Sequence, residues 1–98
     1  MIYVIATITI KPGTAAKVIE AATPCIKGTR AEPGCISYDL NQAVEDENTL
    51  TFVERWKTRE DLTQHFKQPH MAVWREAGGQ YITDRKIEII HADKIEEL

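Results

Sequence analysis

The chain has 98 residues, of which 43% are hydrophobic and 28% charged, and its formal net charge at pH 7 is −3. This length predicts a single domain over residues 1–98. The twelve Lys and Arg residues are dispersed among fifteen Asp and Glu residues, and this charge pattern indicates neither a nucleic acid nor an anionic membrane as a partner.

Neither a membrane-spanning segment nor a secretion signal is expected from this sequence. No apolar run approaches the length of about 18 residues needed for a transmembrane helix. The opening stretch MIYVIATITIKPG lacks the basic segment and the small-residue cleavage site of a signal peptide. Cys25 and Cys35 have neither CxxC spacing nor a histidine at zinc-ligand spacing. They predict reduced thiols in a cytoplasmic protein.

The first half of the chain predicts a strand followed by a helix. Residues 2–11 are β-branched and apolar, and the KPG that closes them is typical of a strand end. Both faces of this strand are apolar, which indicates a central strand of a sandwich or a strand covered on one face by a second protomer. Thr14 is the predicted N-cap of the helix. Pro24 predicts a kink or a split in it, because proline lacks an N–H and crowds the preceding turn.

A β-hairpin is predicted next. CISYDLNQA and TLTFVERW are strand-like and are joined by the polar VEDEN, so they should pair antiparallel. Phe52, Glu54 and Trp56 lie at alternate positions and therefore share one face of the second strand. The carboxylate between these aromatic residues needs a partner, since an unpaired buried charge is costly.

The remaining segments predict a helix in two parts and a final strand. Thr58 is the predicted N-cap of REDLTQHFK, with Asp61 three residues later as in a capping box. Pro69 begins the second part, HMAVWREAGG, which Gly78 or Gly79 should end. RKIEIIHA predicts the last strand and DKIEEL a charged tail. The order β-α-β-β-α-β defines an α+β, ferredoxin-like fold.

A family resemblance becomes visible in the stretch FVERWKTREDLTQHFKQPHM, which resembles the signature of the antibiotic biosynthesis monooxygenase family. Its most specific part is Glu54, Trp56, His65, Pro69 and His70 in this order and spacing, while EPGCISYDL and KPG resemble the flanking turns and strand. The resemblance covers essentially the whole chain. It implies a dimeric α/β barrel, in which two ferredoxin-like sheets pack face to face in a homodimer.

The resemblance also restricts the activities that we expect. Similar proteins include quinol and polyphenol monooxygenases that use neither metal nor flavin, haem-degrading enzymes, and an enzyme that processes a phosphorylated signal. The haem-degrading relatives use an asparagine, a tryptophan and a histidine where this sequence has Ala6, His65 and Arg75. We therefore set haem degradation aside and expect a cofactor-independent monooxygenase, with a small quinol-like or polyphenolic aromatic and oxygen as its partners.

The expected mechanism needs a base in a dry pocket. Triplet oxygen reacts poorly with closed-shell organic molecules, whereas a deprotonated phenol can pass it an electron. His70 or His65 is the expected base, since the ordinary pKa of histidine lies near 7, and Glu54 is expected to fix its tautomer. Water must be excluded from the site. The expected apolar walls are Phe52, Trp56, Phe66, Met71 and Trp74, and Tyr38 is expected to line either this pocket or the dimer barrel.

Other interpretations of the two histidines remain open. A spacing of five residues with Pro69 between them places the rings on different helical segments and leaves no third ligand nearby in sequence, so no metal is expected. Both could instead bridge helix ends to the sheet as structural residues.

Two other functions also remain open, because one fold hosts many chemistries. An isomerase of a phosphorylated metabolite would need a basic clamp from Lys67, Arg75 and Arg85. The third possibility is a non-catalytic ligand-binding or dimerisation module. An aromatic pocket favours the monooxygenase, converging cations favour the isomerase, and a pocket too small for a ligand favours the module.

Overall fold

A computed structural model describes residues 1–98 as one four-stranded sheet with three helices. The elements in chain order are β1 (Ile2–Ile10), α1 (Ala15–Arg30), β2 (Cys35–Gln42), β3 (Thr49–Trp56), α2 (Arg59–Phe66), α3 (Pro69–Gly79) and β4 (Ile82–His91). The strand order is β2-β3-β1-β4, and all neighbouring strands are antiparallel. The predicted ferredoxin-like α+β fold is confirmed, with β4 beginning three residues before the predicted stretch.

The two faces of the sheet differ in how well they are covered. In β1, five buried residues alternate with less buried ones, because successive side chains of a strand point to opposite faces. The buried set packs with α1, α2 and α3 into the core. On the opposite face, Tyr3 and Ile5 are half-buried and lie beside Ile90 and Val53, which are 40% and 37% exposed. Within one chain nothing covers this apolar face, and a second protomer over it stays a prediction.

Helix α1 is continuous through Pro24, so the predicted split is wrong. Pro24 and Glu20 both lie on the exposed side. Water can therefore solvate the Glu20 carbonyl, which lacks the N–H partner that residue 24 would otherwise supply. Ala22 and Cys25 are buried in the core on the other side and hold the helix in place. Thr14 is the N-cap as predicted, but its hydroxyl donates to the Lys11 carbonyl at 2.6 Å and caps no helical N–H.

The N-terminus of α2 forms the predicted cap. The Thr58 hydroxyl accepts a hydrogen bond from the Asp61 backbone N–H at 3.1 Å and donates to the Asp61 carboxylate at 2.8 Å. Gly34 leaves room for this carboxylate, because a Cβ at position 34 would overlap it. Pro69 opens α3, where its missing N–H costs nothing, and Gly79 closes it. These local signals orient the two short helices that carry His65 and His70.

Cys25 and Cys35 are both free thiols, Cys25 being buried in the core. Burial raises the pKa of both thiols. Of the three helices, none combines the length and the apolar character that crossing a bilayer requires.

Candidate active site

An apolar cavity of about 80 Å³ lies between the sheet and the helices. Ten of its twelve lining residues are hydrophobic, and Glu54 and Arg85 are the two acidic or basic side chains among them. Five of the six side chains predicted as walls do line it, namely Tyr38, Phe52, Phe66, Met71 and Trp74. Trp56, the sixth, is fully buried and does not reach the cavity. The cavity therefore combines an aromatic lining with a single carboxylate.

Glu54 reaches this cavity because of strand alternation. Its neighbours Phe52 and Trp56 point the same way on β3, and the register of the hairpin sets Tyr38 beside it. The Trp56 indole N–H donates to Glu54 Oε1 at 2.9 Å. Burial raises the pKa of Glu54 from its ordinary value of 4.5 to about 7; the indole hydrogen bond lowers it and the charge of Glu32 raises it. A carboxylate with such a pKa can accept a proton near neutral pH.

Tyr38 is held as a neutral phenol beside this carboxylate. Its side chain is 2% exposed, and burial, followed by the charge of Glu54, raises the pKa of its hydroxyl far above the ordinary value. Its ring packs against Phe52 and against His65, with 5.4 Å between ring centroids in each pair. Tyr38 can therefore contribute shape and a polar hydrogen to the cavity, but it does not act as a base.

His65 and His70 both bind Glu32 and not Glu54. Glu32 Oε2 lies 2.9 Å from His65 Nδ1 and 2.8 Å from His70 Nε2. The expectation that Glu54 fixes the histidine tautomer is thus corrected, because Glu54 is bonded to Trp56 and Glu32 occupies the histidine nitrogens. Burial lowers the pKa of His65, against the raising effect of its hydrogen bond to Glu32. Neither histidine lines the cavity.

The two histidine rings that contact Glu32 are tightly packed. The His65 ring lies against Trp56, with 4.6 Å between ring centroids. The His70 ring faces Gly28 of α1, where a Cβ would come within 2.7 Å of Nδ1 and 2.9 Å of Cγ. Only glycine allows this approach of α1 without a shift of the imidazole. Glu32 and Gly28 are the two residues of this region that the sequence reasoning missed, and no local signal marks them.

The cations named for a phosphate clamp do not converge. Arg75 donates to the Phe66 carbonyl at 2.9 Å. Lys67 is exposed at the C-cap of α2. Arg85 alone lines the cavity, from the exposed part of β4. A single cation supplies no clamp for a phosphate, so this arrangement gives no support to the isomerase of a phosphorylated metabolite.

Comparison with known proteins places the chain in one family. A family model described as antibiotic biosynthesis monooxygenase matches residues 1–77. "Putative monooxygenase YcnE" of Bacillus subtilis is 33% identical over 70 residues, which cover 71% of this chain and 74% of that protein. "Uncharacterized protein sll1783" of Synechocystis is 35% identical over 69 residues, or 70% of this chain, but the match spans only about half of that protein, 47%.

The solved structures agree with this assignment. The structure of Rv0793 from Mycobacterium tuberculosis superposes with a TM-score of 0.88 at 27% identity and covers 98% of each chain. The family model, the fold and the relatives agree, and the chain belongs to the antibiotic biosynthesis monooxygenase family.

Proposed function

We propose that the protein is a cofactor-independent monooxygenase that oxidises a small phenol or quinol in the apolar cavity, with Glu54 as the base. The observation that carries this proposal is the presence of one buried carboxylate, with a pKa of about 7, among ten hydrophobic lining residues. The designation of the relative YcnE as a "Putative monooxygenase" supports the reaction class.

The reaction balances without an external reductant. Glu54 takes the phenolic proton, and the phenolate passes one electron to oxygen to give a phenoxyl radical and superoxide. These recombine at a ring carbon to form a peroxide. Protonated Glu54 gives its proton to the outer peroxide oxygen, and its carboxylate then removes the hydrogen of that ring carbon as a proton. The electrons of the C–H bond form the carbonyl as the O–O bond breaks, and the departing hydroxide takes up the proton and leaves as water. One oxygen atom ends in the quinone-type product and the other in water, so phenol and oxygen yield quinone and water.

The surroundings of Glu54 suit each step. The apolar lining excludes water, which would otherwise intercept the radical pair. Arg85 at the β4 side of the cavity supplies a positive charge toward the phenolate. We assign the base to Glu54 rather than to His70 or His65, because the contacting nitrogens of both histidines are engaged by Glu32 outside the cavity lining.

The cavity must enlarge to accept an aromatic ring. Its volume of about 80 Å³ is well below the roughly 300–1,000 Å³ of typical ligand sites. Phe66 is half-buried and Ile87 is 54% exposed at its edge, so these side chains are the ones with room to move. We propose that the protein acts as a homodimer formed through the uncovered sheet face that carries Tyr3 and Ile5. The small volume also favours a second candidate, a non-catalytic dimer that binds a small ligand.

Oxygen uptake by metal-stripped protein over a panel of hydroquinones and polyphenols tests the proposal. We expect uptake above the spontaneous rate, and a loss of about 10²–10⁴-fold in Glu54→Gln because a general base is removed. Glu45→Gln changes an exposed carboxylate outside the cavity and should behave as wild type. His70→Gln should retain most of the uptake.

Two results would speak against this assignment. Uptake that survives Glu54→Gln but disappears in His70→Gln would return the base to the histidine. An absence of uptake with every substrate, together with binding of one of them, would support the non-catalytic candidate.

A further inference from the structure

Outside the cavity, three potential metal ligands meet at one point. Glu32, His65 and His70 each offer one ligand atom, and these three atoms all lie within 4.8 Å of one another. Two imidazoles and one carboxylate are a donor set that suits Zn²⁺, Fe²⁺ and related divalent ions. We propose that Glu32, His65 and His70 form a binding site for a divalent transition-metal ion of the zinc class.

The observed distances are close to those that a bound ion requires. The carboxylate oxygen lies 2.9 and 2.8 Å from the two ring nitrogens. Metal–ligand bonds of about 2.0–2.2 Å place neighbouring ligand atoms roughly 3.0–3.5 Å apart in tetrahedral or octahedral geometry. An entering ion therefore needs the oxygen–nitrogen separations to grow by only a few tenths of an ångström. The proposal takes this change to come from rotation of the three side chains.

Burial and charge favour a cation at this point. The side chains of His65 and Glu32 are 1% and 9% exposed, so the carboxylate charge is poorly screened by water. His70 is 21% exposed and gives the ion a route from solvent. The coordination positions left open on that side can be filled by water. The site is thus partly closed by protein and partly solvated.

The ligands are held in place by the packing behind them. The His65 ring contacts Trp56 and Phe66, with ring centroids 4.6 and 5.8 Å away. The His70 ring fits against Gly28, where no side chain competes for the space. Pre-positioned rings lose little conformational freedom when a metal binds, which strengthens binding.

This site is separate from the proposed oxygenase chemistry. None of the three ligands lines the cavity. Each comes from a different part of the fold: Glu32 from the turn after α1, His65 from the last turn of α2, and His70 from the first turn of α3. A bound ion would tie these three segments together. The spacing of the histidines did not reveal it, because the third ligand lies 33 residues before His65.

Calorimetric titration of untagged, chelator-treated protein with Zn²⁺ tests the site, with Co²⁺ as a spectroscopic probe. We expect one ion per chain and visible Co²⁺ bands typical of nitrogen and oxygen ligands. Glu32→Gln and His70→Gln should each weaken binding by at least about 100-fold, since even outer-shell partners of a metal are worth about 10–100-fold. His91→Gln removes an exposed histidine at the end of β4 and should leave the affinity unchanged.

A second measurement on the wild type covers the case in which a variant fails to fold. In nitrogen-15 NMR of the imidazoles, Zn²⁺ should shift the ring nitrogens of His65 and His70 and leave those of His91 in place. The proposal is overturned if wild type shows no saturable binding of one equivalent, if folded Glu32→Gln and His70→Gln bind as tightly as wild type, or if the shifts appear at His91 alone. Because oxygen uptake is measured on metal-stripped protein, either proposal can fail without the other.

Discussion

Replacing Glu54 by glutamine should change how stability depends on pH. Glutamine keeps an oxygen that can accept the Trp56 indole hydrogen bond but carries no charge. Burial raises the pKa of Glu54 from 4.5 to about 7 in the folded state, so the folded chain holds a proton that the unfolded chain releases. The stability that comes from this proton is fully present below pH 4.5 and is lost as the pH rises through about 7.

The size of the effect follows from the pKa difference. At about 1.4 kcal/mol per pKa unit, a rise from 4.5 to about 7 corresponds to roughly 3 kcal/mol at most. Wild type and Glu54→Gln should thus differ by a nearly constant amount below pH 4.5. From that pH up to pH ~8, the unfolding free energy of Glu54→Gln should rise relative to that of wild type by up to ~3 kcal/mol. Glu45→Gln, at an exposed site, should show no such gain.

Urea unfolding of the three proteins from pH 4 to pH 8.5, at one fixed protein concentration, measures this difference. A fixed concentration matters because dimerisation would add to the apparent stability. A free-energy gap between Glu54→Gln and wild type that is the same at every pH would refute the reasoning. It would mean that Glu54 has the same pKa in the folded protein as in the unfolded chain. Glu54 would then not be a base whose pKa lies near neutral pH.

Three further predictions address the supports of the site and its pH dependence. Gly28→Ala should lower the unfolding free energy by about 1–3 kcal/mol because the added methyl overlaps the His70 ring. Gly79→Ala, where an added methyl would meet nothing within 4 Å, should be neutral or stabilising by up to about 1 kcal/mol. Equal losses in the two variants would contradict the close packing of His70 against Gly28. Thr58→Ala should lose about 0.5–2 kcal/mol of unfolding free energy because the helix cap is removed. Thr58→Ser keeps the hydroxyl and should retain most of that stability; if it is as unstable as Thr58→Ala, the hydroxyl cap does not stabilise α2. The pH profile of kcat/KM should rise through about 7 as Glu54 ionises, and a flat profile would exclude it as the base.

The fold was predictable because its signals are local. The β-branched run of β1, the hairpin strands, the cap at Thr58 and the helix start at Pro69 depend on residues within a few positions of one another. Pro24 misled for the same reason, since its local effect was overridden by the burial of Ala22 and Cys25 on the other side of α1. Tertiary packing keeps α1 continuous through Pro24, and the local sequence pattern does not report this packing.

The site was predictable only in part. Strand alternation correctly grouped Phe52 with Glu54, and helical spacing brought Met71 and Trp74 to the same cavity. The partner of the histidines was not predictable, because Glu32 lies in a turn that reads locally as a helix stop. Its contact with His65 depends on how the end of α1 packs against two later helices, which no short-range pattern reports.

The central claim, oxygenation without a cofactor, is tested most directly by isotope labelling. Metal-stripped protein is supplied with ¹⁸O₂ and the phenol that supports the fastest uptake, and the product is analysed by mass spectrometry. The account predicts one ¹⁸O atom in each quinone-type product, the other in water, and no such product above background from Glu54→Gln. A product that takes its oxygen from water, or labelled product that forms equally well with Glu54→Gln, would contradict it.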